Sequence, residues 1–201
     1  MPGQVPHEWR TSNTVYDASN NPLPSNPFRT QDAFMGPASM GTVSVRELER
    51  PLEGKGLTLL LKAKEFIAKG DVAHGLEKAR AAAQYPAAEP YALGILATEH
   101  LREGQIDAAV VEFQQAAMLL PGKVELHSNL AFALGVVGRN EEALKEARMA
   151  LKLDPGRAKV RFVLGQILLQ MGREEEAKFH LKKAAVDIAG ARKMLTQYFG
   201  E

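Results

Sequence analysis

The sequence predicts an all-α fold: a solenoid of four helix-turn-helix units with a short C-terminal capping helix, preceded by an irregular N-terminal segment. Three observations carry this. Gly70, Gly104, Gly138 and Gly172 are spaced 34 residues apart without slippage. With glycine near 7% of average proteins, four glycines in a preset register arise by chance on the order of once in 10⁵. Columns of small residues follow the same period: Ala63, Ala97, Ala131 and Gly165; Gly75, Ala109, Ala143 and Ala177; Ala82, Ala116, Ala150 and Ala184. Between these columns apolar residues recur at spacings of three and four, the pattern of amphipathic helices.

The segment before the repeats differs in composition. Residues 1–51 hold seven of the eleven prolines, no lysine and a formal charge of −1. The run NNPLPSNP is dense in turn formers, and each X-Pro pair favours extended backbone. Composition alone reads residues 1–55 as an irregular or extended segment. Yet it carries the only tryptophan, Trp9, with Tyr16, Phe28 and Phe34. Fully solvated tails are poor in aromatics, so Trp9 and Phe28 are candidate anchors for docking on another surface.

The repeats occupy residues 56–191, in units 56–89, 90–123, 124–157 and 158–191. The third unit shows the design. Leu126, Leu130, Ala133 and Leu134 share one face of its first helix, and Ala143, Ala147, Ala150 and Leu151 one face of its second. Gly138 stands where a left-handed residue ends the first helix. Asn140 is placed to cap the second helix, with Glu141 and Glu142 near its positive end. Pro155 stops that helix after Asp154. The small columns let two antiparallel helices approach closely; a large residue there would overpack the contact, at a cost of roughly 1–3 kcal/mol. Each unit has too little apolar surface alone, so stacking makes the core. Residues 192–201, with Met194, Leu195, Tyr198 and Phe199, are placed to cover the open end of the stack.

The 34-residue period, the glycine and alanine columns and the segments GRNEEALKEARMALKLDP and GREEEAKFHLKKAA resemble the tetratricopeptide repeat (TPR) family over residues 56–191. The departures are local. Leu59, Leu93, His127 and Arg161 stand where the family has a large aromatic, Lys62 stands where an apolar residue is usual, and Pro86 lies one residue off the register of Pro121 and Pro155. The resemblance implies a right-handed superhelix whose first helices line a concave, non-catalytic groove for a protein or peptide partner. Carried over column by column, the lining is Tyr91, Thr98 and Arg102 from the second unit, Glu125, Ser128, Asn129 and Phe132 from the third, and Lys159, Phe162 and Gln166 from the fourth. Such a mixed lining suits a helix or extended segment with an apolar stripe and a few hydrogen bonds. The alternative for Tyr91, Phe132 and Phe162 is packing between units. Some members of the family clamp a chaperone's terminal carboxylate with lysine, arginine and asparagine. Here Asn129 and Lys159 match two elements of that clamp, but Gly94, Thr98 and Val163 occupy the other places, which argues against it.

Several function classes are excluded or disfavoured. The chain has 201 residues, 45% apolar and 24% charged, and no cysteine, so disulfides, thiolate nucleophiles and cysteine-bound metals are absent. His74, His100, His127 and His180 are scattered without metal-ligand spacing, and no metal or cofactor is expected. Gly54-Lys55-Gly56 lacks the spacing of a phosphate loop, and no nucleophile–base constellation is present. The reading is therefore a scaffold or adaptor, not an enzyme. A second reading has the N-terminal segment occupy the groove of its own or a neighbouring copy, for autoinhibition or homo-oligomer assembly. A third is nucleic-acid binding by the basic end, since residues 139–201 carry +4 against −2 for residues 51–138. The overall charge of +1 disfavours it. No apolar run reaches the roughly 20 residues that span a bilayer. The residues after Met1 lack a leader pattern, which favours a cytoplasmic location and leaves a periplasmic or exported one open for a longer precursor.

Overall fold

The computed structural model describes residues 54–201, which form nine helices and no strand. In chain order they are α1 (Gly54–Ala68), α2 (Val72–Ala82), α3 (Glu89–Arg102), α4 (Ile106–Leu119), α5 (Val124–Val136), α6 (Asn140–Leu153), α7 (Ala158–Gln170), α8 (Glu174–Ala184) and α9 (Ala189–Phe199). Helices pair as α1–α2, α3–α4, α5–α6 and α7–α8, each pair packs on the next, and α9 packs on α8. This is an all-α solenoid of helix-turn-helix units.

The turns follow from the glycine column. Gly70, Gly104, Gly138 and Gly172 all have φ between 71° and 85°, the left-handed region that side chains with a Cβ adopt only at a cost of about 1–2 kcal/mol. Each reverses the chain after the first helix of its unit. The close approach follows from the small columns. Ala63, Ala97, Ala131, Ala109, Ala143 and Ala177 are fully inaccessible to solvent. A Cβ on Gly165 would lie 2.7 Å from Leu181 Cγ, and one on Gly75 would collide with Ile67. In the predicted faces of the third unit, Leu126, Leu130, Ala133 and Leu134 are buried, as are Ala143, Ala147 and Ala150, while Leu151 is partly buried against the core.

Three local readings change. The α6 helix begins at Asn140 itself, its cap position is Arg139, and no side chain caps it. Asn140 Oδ1 is buried without a hydrogen-bond partner. Arg139 instead donates from Nε and Nη2 to the two oxygens of Glu142 at 2.7 Å, and Arg173 repeats this with Glu176 one unit later. The side-chain cap is found on α2, where Asp71 accepts from His74 N at 3.3 Å. Secondly, α1 starts two residues before, and α9 three residues before, the expected boundaries. On α9, Met194 and Leu195 are buried, and Tyr198 and Phe199 are partly buried against the core. Thirdly, α5 is buried from Glu125 to Gly135 on every face rather than on one stripe. A helix with neighbours on both sides and a partner behind keeps little solvated surface.

First helices also meet each other: α5 touches α7 and α3. The second helices lie farther apart, so the stack curves with first helices on the inside. No described helix is long and apolar enough to cross a membrane.

The close contact at Gly165 is testable. Gly165→Ala should lower unfolding free energy by roughly 1–3 kcal/mol. Gly122→Ala, where a Cβ meets nothing within 4 Å, should stay within about 0.5 kcal/mol of the parent. Urea unfolding followed by circular dichroism measures both.

Candidate functional site

The inner face is built by α3, α5 and α7. Of the ten lining positions expected from the sequence, Tyr91, Glu125, Ser128, Asn129, Phe132, Phe162 and Gln166 are buried, while Thr98, Arg102 and Lys159 are partly exposed. Trp9 and Phe28 lie outside the described residues.

Several of these groups are partners of one another. Lys159, in the first turn of α7, donates to Asn129 Oδ1 on α5 at 3.1 Å. Glu125 in the first turn of α5 is ion-paired with Arg157 in the turn before α7, and Lys123 Nζ lies 3.9 Å away on its other side. The Lys159–Asn129 bond ties the third unit to the fourth, Lys123 ties the second to the third, and Arg157 holds Glu125 from the end of the third unit itself. Within α3, Arg102 donates to both oxygens of Glu99, at 3.0 and 2.8 Å, and Thr98 Oγ1 donates back to Gly94 O at 2.7 Å. The Phe162 ring packs on α9, since a Cβ on Gly190 would lie 3.1 Å from its Cζ. Phe162 therefore serves packing between helices. Ser128 Oγ is buried and has no hydrogen-bond partner among the described residues.

The electrostatics follow from this crowding. Burial pushes the Lys159 ammonium down to about 8; the Glu125 carboxylate opposes that shift and Arg157 adds to it. Lys64 on α1 is also held below the ordinary lysine range, first by burial and then by the charge of Lys123. Glu99, Lys123 and Arg157 thus belong to this face beyond the expected lining, while Lys64 occupies the groove-facing position of the first unit that the column pattern gives. Lys123 and Arg157 are 34 residues apart, a basic column just ahead of the first helices. That register was legible, but the turn residues read as punctuation.

No group of three or more potential metal ligands occurs among the described residues. His100 sits 2.8 Å from Glu112, and His127 sits 2.7 Å from Glu146. At the C-terminal end, Lys178 and Lys182 both pair with Glu201 at 2.8 Å, so part of the basic excess there is met internally.

Two outcomes follow. Between pH 8 and 10.5 the unfolded chain binds more protons at Lys159 than the folded chain does, so stability rises with pH across that window. Lys159→Met should remove this rise, read as the difference between the two proteins in urea unfolding at pH 7 to 10. Arg157→Ala should cost about 1–3 kcal/mol in the same assay at neutral pH, because it strands the buried Glu125 carboxylate.

The tetratricopeptide repeat family model matches residues 137–189. No curated protein matches the sequence. Among solved structures, the chain is similar to TTC0263, a thermophilic TPR protein of Thermus thermophilus: 20% identity, 72% of this chain and 83% of that one, TM-score 0.62. It is similar to MamA of strain AMB-1, with 28% identity over 63% of this chain and 75% of that one, TM-score 0.55. A tetratricopeptide repeat protein from Parabacteroides merdae ATCC 43184 matches at 22% identity over 69% of this chain and 57% of that one, TM-score 0.58. Register, helix pairs and these likenesses agree: residues 137–189 match the tetratricopeptide repeat family, and the described residues share the fold of tetratricopeptide repeat proteins.

Proposed function

We propose that this protein is a non-catalytic scaffold or adaptor that holds a partner segment along the inner face formed by α3, α5 and α7. The observation that carries the reading is the surplus of polar groups there. Asn129 and Lys159 pair with each other and Arg102 with Glu99, so the face presents polar groups already held in place, and Arg102 and Lys159 keep partial exposure there. The Ser128 hydroxyl is buried without a partner among the described residues, and a buried unmade hydrogen bond costs about 1–3 kcal/mol. The groups that a bound segment would meet directly are Thr98, Arg102 and Lys159, which keep partial exposure. Tyr91 and Phe132, on α3 and α5, are buried in the core.

The second reading, occupation of this face by the N-terminal segment, shares the same surface. Comparing the full chain with residues 54–201 separates the two. A competing segment makes the shorter chain the better binder.

In native extract, chemical crosslinking and mass spectrometry on the parent should identify a partner that is lost with Arg102→Ala/Lys159→Ala and kept with the outer-face control Met118→Ser/Val186→Ser. Circular dichroism verifies that both variants fold. Capture of the same partner at the same yield by the inner-face variant overturns the assignment.

A further inference from the structure

One column of the repeat changes its chemistry from unit to unit. At the place where family members carry a large aromatic, the second, third and fourth units have Leu93, His127 and Arg161. In the fourth unit, Arg161 donates to Pro155 O, in the turn before α7, at 2.8 Å. In the third, His127 reaches the equivalent carbonyl, Pro121 O, with Nε2 at 2.9 Å. Its other nitrogen, Nδ1, lies 2.7 Å from Glu146 Oε2 on α6. The ring is buried, 8% exposed.

Both oxygens that face this ring can only accept. A neutral imidazole carries one N–H, so it satisfies one of them and points a lone pair at the other. Only the imidazolium makes both bonds. It then connects the α4–α5 turn to α6 through a single side chain. The neighbouring junctions have no such dependence. Leu93 has no proton to lose, and Arg161 keeps its charge at any ordinary pH. The column of Glu146 also changes, to His180 in the fourth unit, so the carboxylate half of the arrangement is not repeated there.

We infer that His127 is a proton-dependent clamp on the junction between the second and third units, closed as the imidazolium and released when the ring loses its proton. The charged group facing it from α6 is Glu146. From the preceding turn it meets the Pro121 carbonyl, while Lys123 on that turn directs its ammonium toward Glu125 at 3.9 Å. The Glu146 hydrogen bond, supported by the Pro121 carbonyl and the Glu146 charge, holds His127 above the ordinary histidine value of 6.5 against the opposing effect of burial. A raised folded value means the stabilisation is complete below about pH 6.5, the unfolded value, and disappears as pH rises through the folded one.

The molecule contains its own control. The Lys123 amide donates to Leu120 O at 3.1 Å in the His127 turn, and the Arg157 amide donates to Asp154 O at 3.4 Å in the Arg161 turn, 34 residues on. The test uses the full chain, with NMR titration of the His127 ring and amide hydrogen exchange between pH 5.5 and 9. Rates are corrected for intrinsic base catalysis. His127 should titrate above 6.5. Through that titration, exchange at Lys123 should speed up relative to Arg157, by up to about tenfold for each unit by which the ring's pKa is raised. His127→Arg, which copies the fourth unit, should hold the ratio constant with pH. The inference is overturned if His127 titrates at or below 6.5, or if the Lys123-to-Arg157 ratio in the parent does not change with pH. A ratio that changes equally in His127→Arg overturns it too. Should that variant fail to fold, the ring titration and the internal ratio still decide.

Discussion

Two α-helices can lie side by side at short range only where neither presents a bulky side chain, and this solenoid depends on that condition four times. Gly75 lies against Ala63 and Gly165 against Ala177, and Ala97 with Ala109 and Ala131 with Ala143 hold the same columns in the middle units, all four without exposure. The left-handed glycine after each first helix sets the angle at which the second returns. Once the pairs are tight, their outer apolar residues form ridges that the next pair must cover, so stacking follows from the pairing. α9 closes the series, with Ala191, Met194 and Leu195 buried beneath it.

The stacking has a consequence for polar residues. In a globular helix the polar side faces water, but the first helices here are flanked by their counterparts in both neighbouring units. Their polar groups therefore meet each other. Glu125 is held by Arg157 from the turn that leads into the next unit, Asn129 by Lys159, and His127 by the turn before it and the helix after it. Removing one member of such a pair strands its partner away from water, which costs more than the pair itself contributes. The same residues thus set the relative placement of units and supply the chemistry of the inner face. A segment bound there meets groups that are already positioned, which reduces the ordering cost of association.

Much of the architecture was legible in the residue pattern. A period of 34 can be counted, a glycine column has a known conformational meaning, and small columns have a mechanical one. The site was legible only by column. Thr98, Arg102 and Lys159 retain partial exposure on the inner face, whereas Phe162 is taken up by α9, whose contact with it rests on Gly190 having no side chain. Asparagine beside a helix start is a local preference, which is why Asn140 reads as a cap. The structure sets the helix start one residue earlier, where Arg139 and Glu142 pair instead.

The sequence by itself determined the helical units, their number and register, the turns between them and the closure at the C-terminal end. Each of these is written in spacing along the chain, which short-range sterics and hydrophobic burial translate directly. Only the tertiary structure decided which polar side chains satisfy one another, which lysines lose their water, and that a histidine would stand between a carboxylate and a carbonyl. Those outcomes depend on distances between units, such as that from Lys159 to Asn129 thirty residues away. No local pattern sets such a distance. It emerges when four pairs stack and curve.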